Sequence, residues 1–288
     1  MEMNENELKE FKDILTKMLY DFDRFCKENH LQYCVTGGTT IGVLRHKGFI
    51  PWDDDIDVFM PRQDYDKLNT MARLLEGSSY EIINHDTEGY YLPFAKFSNK
   101  NTTLWEFKDE PCVYGAYIDI FPLDNTNPDI KLSYRKKLNN YFIHYRKGKE
   151  KNTFRKAIKY LRHGNLKMGL IYIRFSTIDS LLAKYYLRKF QALENYLKNE
   201  IKGDYYASYF GAYQNEMYPK EMIFPAKDGI FEGLTVKIPG DADAFCKQLY
   251  GDYMQLPPEG KRITHHQHYY FNLHKRLTIN KICNIMNS

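Results

Sequence analysis

The chain has 288 residues, 43% of them hydrophobic and 16% aromatic, with a net charge of +4. That composition supports a large buried core and excludes a disordered or low-complexity chain. Five scattered cysteines (Cys26, Cys34, Cys112, Cys246 and Cys283) show no Cys-x-x-Cys spacing, which speaks against a disulfide framework or a zinc site and for a reducing compartment. Residues 1–10 are acidic and polar, which predicts no signal peptide. No apolar run reaches the roughly eighteen residues of a spanning helix, so the expected location is cytoplasmic.

The elements follow in chain order. Leu8, Phe11, Ile14, Leu15, Met18, Leu19, Phe22 and Phe25 recur at helical spacing and predict an amphipathic helix over 6–28. Tyr33-Cys34-Val35 reads as a short strand running into Gly37-Gly38. Thr39 to Arg45 reads as a short helix with Thr39 or Thr40 near its N-cap. Strand, glycine turn and helix N-terminus together make an anion site, because glycines admit a phosphate to the backbone and first-turn N–H groups point at it. Gly48 to Pro51 then turns the chain into a second strand, Ile56 to Phe59.

Between them lies Trp52-Asp53-Asp54-Asp55-Ile56-Asp57. On extended backbone Asp53, Asp55 and Asp57 share one face, Asp54 points away, and Ile56 and Val58 can enter a core. Three carboxylates on one face repel each other unless a cation compensates, and a hard divalent cation with oxygen ligands answers that need. A lone Asp-Asp-Asp is more often a solvated acidic turn, but Trp52 and the interleaved Ile, Val and Phe are costly on an open loop. A calcium loop fails, since Val58 stands where Gly is required and Asp64 where Glu is required.

A helix is expected over 64–75, then strands over 80–84, 91–98, 104–107 and 114–121, the last carrying Asp119. Strands and helices in this order give a mixed α/β sheet domain over about residues 1–128. Residues 131–190 differ: 17 Lys and Arg stand against Glu150 and Asp179 alone, while the remainder of the chain is net acidic. Apolar residues interleave with the charges, so helices basic on one side are expected, of the kind that suits anionic lipid headgroups. A solvated helical face and nucleic acid are the alternatives, and no nucleic-acid motif accompanies the charge. Residues 190–201 continue helical, 222–225 and 230–239 read as a strand pair, and 243–250 as a short helix. His265 and His266 follow in a polar tail, where such a pair is more often surface than ligand. Three segments result: a catalytic core over 1–128, a basic helical insertion over 129–202, and a closing segment over 203–288 that packs back on the core.

Four blocks carry a family resemblance: Gly38-Thr39-Thr40-Ile41-Gly42; Arg45-His46-Lys47-Gly48-Phe49-Ile50-Pro51-Trp52 running into Asp53–Asp57; Ile118-Asp119-Ile120-Phe121-Pro122-Leu123-Asp124; and Leu249-Tyr250-Gly251-Asp252-Tyr253-Met254. Together they resemble the LicD family, bacterial phosphocholine transferases related to fukutin and fukutin-related protein. The resemblance implies a nucleotidyltransferase-type mixed sheet flanked by helices, here with the basic helical insertion. It implies metal-dependent transfer of phosphocholine, or a related alcohol phosphate, from a CDP-linked donor to a hydroxyl of a cell-surface glycan such as teichoic acid, lipopolysaccharide or capsule, with release of CMP. Acceptors built on lipid carriers would place the protein at the inner face of the membrane.

Mapped onto that chemistry, Asp55 and Asp57 coordinate Mg²⁺ (or Mn²⁺), Asp53 supports them, and Asp119 completes the site and helps deprotonate or orient the acceptor hydroxyl. Gly37, Gly38 and Thr39 hold phosphate. Arg45 and Lys47 follow the helix, and Arg45 makes either a bidentate phosphate contact or a salt bridge to an Asp. Lys96 is a weaker candidate and Asp124 is structural. A quaternary ammonium needs aromatic walls, for which Trp52, Trp105, Tyr90, Tyr91 and Tyr114 are available. The sequence does not separate CDP-choline from other CDP-alcohols. Two other classes stay open: a nucleotidyltransferase that releases pyrophosphate, and a non-catalytic polyanion or membrane-surface binder.

Overall fold

The computed structural model describes residues 1–90, 92–108, 112–130, 133–150, 152–211, 216–264, 266 and 268–287. Tyr91 and His265, both singled out above, lie outside them. The first helix, α1 (Glu5–Glu28), opens on a capping box: the Asn4 side chain accepts from the Asn6 and Glu7 amides, and the Glu7 carboxylate accepts from the Asn4 N–H. Its stripe of Phe11, Leu15, Met18, Leu19 and Phe22 is buried against the sheet.

The sheet is built from β1 (Cys34–Val35), β2 (Asp57–Pro61), β3 (Tyr80–Ile83), β4 (Ala95–Asn99) and β6 (Tyr117–Thr126), in the order β1-β2-β6-β4-β3. The strand β5 (Thr103–Trp105) stands outside it, and α2 (Gly37–Ile41) and α3 (Arg62–Thr70) flank β2 in sequence. β2 and β6 run parallel, and the other neighbours are antiparallel. This is the mixed α/β sheet that the sequence predicts. Alternation along the strands sorts the two faces. Val58, Met60, Ile118 and Ile120 join α1 in one core, while Phe59 and Leu123 join Tyr218, Phe245 and Cys246 in another. Asp57 and Asp119 pair in register across β2 and β6. Both lie an even step from Phe59 and Phe121, so they emerge on that second face.

Four helices follow: α4 (Ser133–Lys149), α5 (Thr153–Arg162), α6 (Leu166–Arg174) and α7 (Ser180–Asn199), with a π-helical turn over Phe175–Asp179 joining the last two into one run. The chain returns through β7 (Tyr205–Ala207), which pairs with Asp124, Asn125 and Thr126 at the far end of β6, and β8 (Met217–Pro219). The short helix α8 (Lys220–Ile223), the hairpin β9 (Lys227–Phe231) and β10 (Leu234–Ile238), α9 (Ala242–Tyr250), β11 (Tyr270–Asn272) and α10 (Ile279–Asn287) complete the chain, with β11 pairing β5. Among the described residues no helix is long and apolar enough to cross a membrane.

Three local expectations change. The helix expected over 39–45 begins at Gly37, gives way to a π turn over Gly42–His46, and has Thr36 at its N-cap. Thr39 and Thr40 do not cap it, because their hydroxyls are used elsewhere: Thr39 Oγ1 accepts from the Asp57 amide at 3.0 Å, and Thr40 Oγ1 donates to the Val35 carbonyl at 3.1 Å. Residues 222–225 are not half of a strand pair. Pro225 offers no N–H to a ladder, and the hairpin instead joins β9 to β10 through Glu232 and Gly233, both at positive φ (48° and 76°) as a tight twisted turn requires. The strand expected over 114–121 runs on to Thr126, because β7 supplies partners for its last three residues.

Candidate active site

The second face of the sheet opens into a cavity of about 640 Å³. Its floor holds Asp53, Asp55 and Asp57 with Gly37 and Gly38; its walls include Arg45, Trp52, Tyr250, Tyr253 and His266. Although residues 53–56 are not in a strand, they follow the two-residue alternation. Asp54 turns the other way and is buried, accepting from Thr264 Oγ1 at 2.8 Å and meeting His266 Nδ1 at 2.9 Å.

The glycine pair is needed for contact with these carboxylates. Gly37 has φ +57°, a left-handed conformation that glycine adopts without strain. A Cβ on Gly38 would lie 2.6 Å from Asp53 Oδ2, and one on Gly37 would lie 3.2 Å from Asp57 Oδ2. The backbone of α2 thus lies directly against the acidic floor. The Asp57 amide is held by Thr39 and its carbonyl accepts from the Thr36 N–H at 2.9 Å, which fixes where β2 begins.

Electrostatics follow from crowding. Burial, and then the charge of Asp55, push the Asp53 carboxyl up to about 8. Burial likewise raises Asp55 and Asp57, and for Asp57 the neighbouring Asp55 and Asp119 add to it. Asp119 is raised by burial, but Lys96 opposes the rise: Lys96 Nζ lies 2.6 Å from Asp119 Oδ1 and is itself fully buried. Asp54 is the exception, since hydrogen bonds from His266 and Thr264 outweigh burial and hold it below the usual range. Burial disfavours the His266 cation, yet Asp54 and Asp55 outweigh it and raise the imidazole to about 10. His266 Nε2 stands 3.6 Å from Asp55 Oδ2, so an imidazolium bridges the outward and inward carboxylates.

The expected site residues therefore divide. Asp53, Asp55, Asp57, Gly37, Gly38, Arg45 and Trp52 come together around one cavity. Thr39 is buried behind it as a backbone clamp. Asp119 stands beside Asp57 on the neighbouring strand, paired with Lys96. Lys47 is outside: it ends the π turn in a left-handed conformation (φ 61°) with its side chain exposed, and its carbonyl accepts from the Glu232 N–H. Among the described residues Arg45 makes no ion pair with an Asp; it donates to the Tyr253 and Gln255 carbonyls, tying the closing segment to the π turn. Trp52 is faced by the Arg262 guanidinium, 5.6 Å from its ring centre. His266 was legible as half of a polar His pair and, through the family resemblance, whose pattern often ends with a His here, as a weak functional candidate. Its partner Asp54 is 212 residues away, and no local signal marks it. Ligands that orient other ligands typically matter about 10- to 100-fold. His266→Ala is expected to lower turnover by that order and also to lower the unfolding midpoint, because it leaves the buried Asp54 without its imidazole partner; a lowered midpoint with an unchanged rate would make the contact purely structural.

Among the described residues no three His, Cys, Asp or Glu side chains close on one point as a ready metal cage. Mg²⁺ does not require one. It is commonly held by one or two carboxylates, with substrate phosphates and water completing the octahedron. Two crowded carboxylates facing a cavity of ligand size fit that mode, and their raised proton affinity marks where a cation would be favoured.

The parallel β2–β6 pair with aspartates in register, beside a glycine turn, defines a nucleotidyltransferase-type domain. Residues 30–156 match the LicD/FKTN/FKRP nucleotidyltransferase domain, and over that stretch the chain is similar to the LicD family. It is 28% identical over 261 residues to the lipopolysaccharide cholinephosphotransferase LicD of Haemophilus influenzae, covering 90% of this chain and 96% of that protein. An uncharacterised protein of Rickettsia prowazekii is 29% identical over 68 residues, 24% of this chain and 26% of its own length. A nucleotidyltransferase-like protein of Paracoccidioides brasiliensis superposes with a TM-score of 0.23 at 13% identity, over 68% of this chain and 95% of that one; at that score the likeness carries no weight, and the fold rests on the strand order.

Proposed function

We propose that the protein transfers phosphocholine, or a related alcohol phosphate, from a CDP-linked donor to a hydroxyl of a cell-surface glycan, lipopolysaccharide before teichoic acid or capsule, and releases CMP. The observation that carries this reading is the similarity to LicD along nearly the full length of both chains, joined to a cavity whose floor is the aspartate cluster.

Asp55 and Asp57 are the groups that would hold Mg²⁺ or Mn²⁺, which supplies charge neutralisation on the donor phosphates. Gly37 and Gly38 leave the floor low enough for the donor to approach the carboxylates. The acceptor oxygen bonds to the transferred phosphorus as the bond to the CMP oxygen breaks, and its proton passes to a carboxylate of the floor. Asp53 suits that role, since it lines the cavity beside Asp55 and Asp57. Asp119 acts as a positioning residue, fixed by Lys96 beside Asp57. Trp52 and Tyr250 offer aromatic faces for a quaternary ammonium, with Arg262 leaving the Trp52 ring when a donor arrives.

Nucleotide release from CDP-choline, CDP-ribitol and CDP-glycerol, with Mg²⁺ and a choline-free lipopolysaccharide acceptor, tests this. CMP from CDP-choline alone is the expected result. CMP from a polyol donor alone would replace choline as the transferred group, and pyrophosphate release from CTP with no CMP from any donor would overturn the reaction class.

A further inference from the structure

The helical run over 166–199 has an apolar stripe that no described residue covers. Leu166, Leu170, Ile178, Leu181 and Leu182 are exposed, Leu166 to 65%, Leu170 to 63% and Leu181 to 86%. From Leu166 to Leu181 the steps of four, eight (across the π turn) and three keep them near one side of a continuous helix, with Leu182 one residue further round. Lys167, Arg174, Lys184, Arg188 and Lys189 are exposed along the same run. Within it the apolar positions that do pack are others, Ala183, Phe190 and Leu197. Between α5 and α6, next in the chain to Leu166, lies a cavity of about 370 Å³ lined by Lys156, Lys159, Tyr160, His163, Asn165 and Tyr172.

An exposed apolar stripe on a soluble helix needs an occupant. A second copy of this chain would bring two strongly basic segments face to face and is disfavoured by their repulsion. Nucleic acid would satisfy the basic residues but give the leucines nothing to enter. An anionic lipid bilayer satisfies both: apolar side chains enter the acyl boundary, while Lys and Arg meet the headgroups.

We propose that residues 154–189 dock on an anionic membrane surface, with Leu166, Leu170, Ile178, Leu181 and Leu182 inserted below the headgroups. The stripe lies on a different part of the chain from the aspartate cavity, so the proposal stands whatever the donor proves to be. The test is flotation of the full chain with vesicles of phosphatidylcholine alone and of phosphatidylcholine mixed equally with phosphatidylglycerol. The expected result is binding to the mixed vesicles only, weakened by salt, and about tenfold or more weaker for Leu170→Glu/Leu181→Glu. Both positions are exposed, so the variant should keep the wild-type unfolding midpoint and metal-dependent donor hydrolysis. Absence of binding to mixed vesicles, or binding unchanged in that variant, would overturn the proposal. So would a wild-type dimer in sedimentation that the variant converts to monomer, since the stripe would then belong to a second copy.

Discussion

Asp57→Asn is expected to abolish turnover while leaving the protein folded. Asp57 opens β2, its backbone is held at both ends by Thr39 and Thr36, and its carboxylate stands on the cavity floor. The amide keeps the volume and the backbone bonds but loses the charge that would hold a cation. CMP release below a few per cent of wild type is expected, and a higher residual rate would sink the assignment. Stability should move the other way. The Asp57 carboxyl has its folded proton affinity raised by burial and by Asp55 and Asp119. A carboxyl raised in the fold binds more protons folded than unfolded, so its contribution is favourable below the unfolded carboxylate range and is lost as pH rises through the folded value. Without divalent cation, the wild type should therefore lose stability from about pH 4 upward, continuing to near pH 8, where Asp53 titrates. Asp57→Asn should lose less over that window, as read by thermal unfolding in chelator at several pH values.

Asp124→Ala should give the largest loss of stability. Arg62 Nε and Nη2 donate to the two Asp124 carboxylate oxygens at 2.7 and 2.8 Å, a bidentate pair with both partners buried. Removing Asp124 takes away both short contacts and leaves the buried guanidinium only the longer ones to Glu194 at 3.3 Å and Asp66 at 3.8 Å, and breaking a buried pair costs about 3–5 kcal/mol. Urea unfolding should show a loss of that size, and Arg62→Met/Asp124→Leu should recover much of it, because a buried ion pair is often replaceable by apolar groups of similar volume. A loss under about 1 kcal/mol for the single substitution would mean that water reaches the guanidinium, and that the pair is not buried in the way described.

Asp53, Asp55 and Asp57 were legible because the two-residue alternation needs only extended backbone. It survives even though the strand begins at Asp57. Asp119 was legible from its position between apolar residues of a strand, and its register with Asp57 bears out the neighbouring placement. The partner of Asp119 was not legible, because only pairing across β4 and β6 puts the Lys96 and Asp119 side chains together. Arg45 and Lys47 were read as one basic pair after a helix. A π turn and a left-handed residue separate them, sending one to the cavity wall and the other to solvent. Backbone terminations of that kind leave little trace in hydrophobic periodicity. His266 depends on a contact across most of the chain, which no local pattern encodes.

The Arg62 guanidinium also reaches Glu194 on α7 at 3.3 Å, and Lys198 on the same helix pairs with Asp66 on α3. The long helix is therefore bolted near its C-terminal end to the first turns of α3 and, through Asp124, to the strand that carries Asp119. A helical arm joined to the sheet in this way cannot swing freely about a linker. The exposed apolar stripe and the aspartate floor therefore keep a set separation and angle. With the stripe docked on a membrane and a glycan hydroxyl as acceptor, as proposed above, that fixed frame would act as a gauge, favouring hydroxyls at one height above the surface over those nearer or farther.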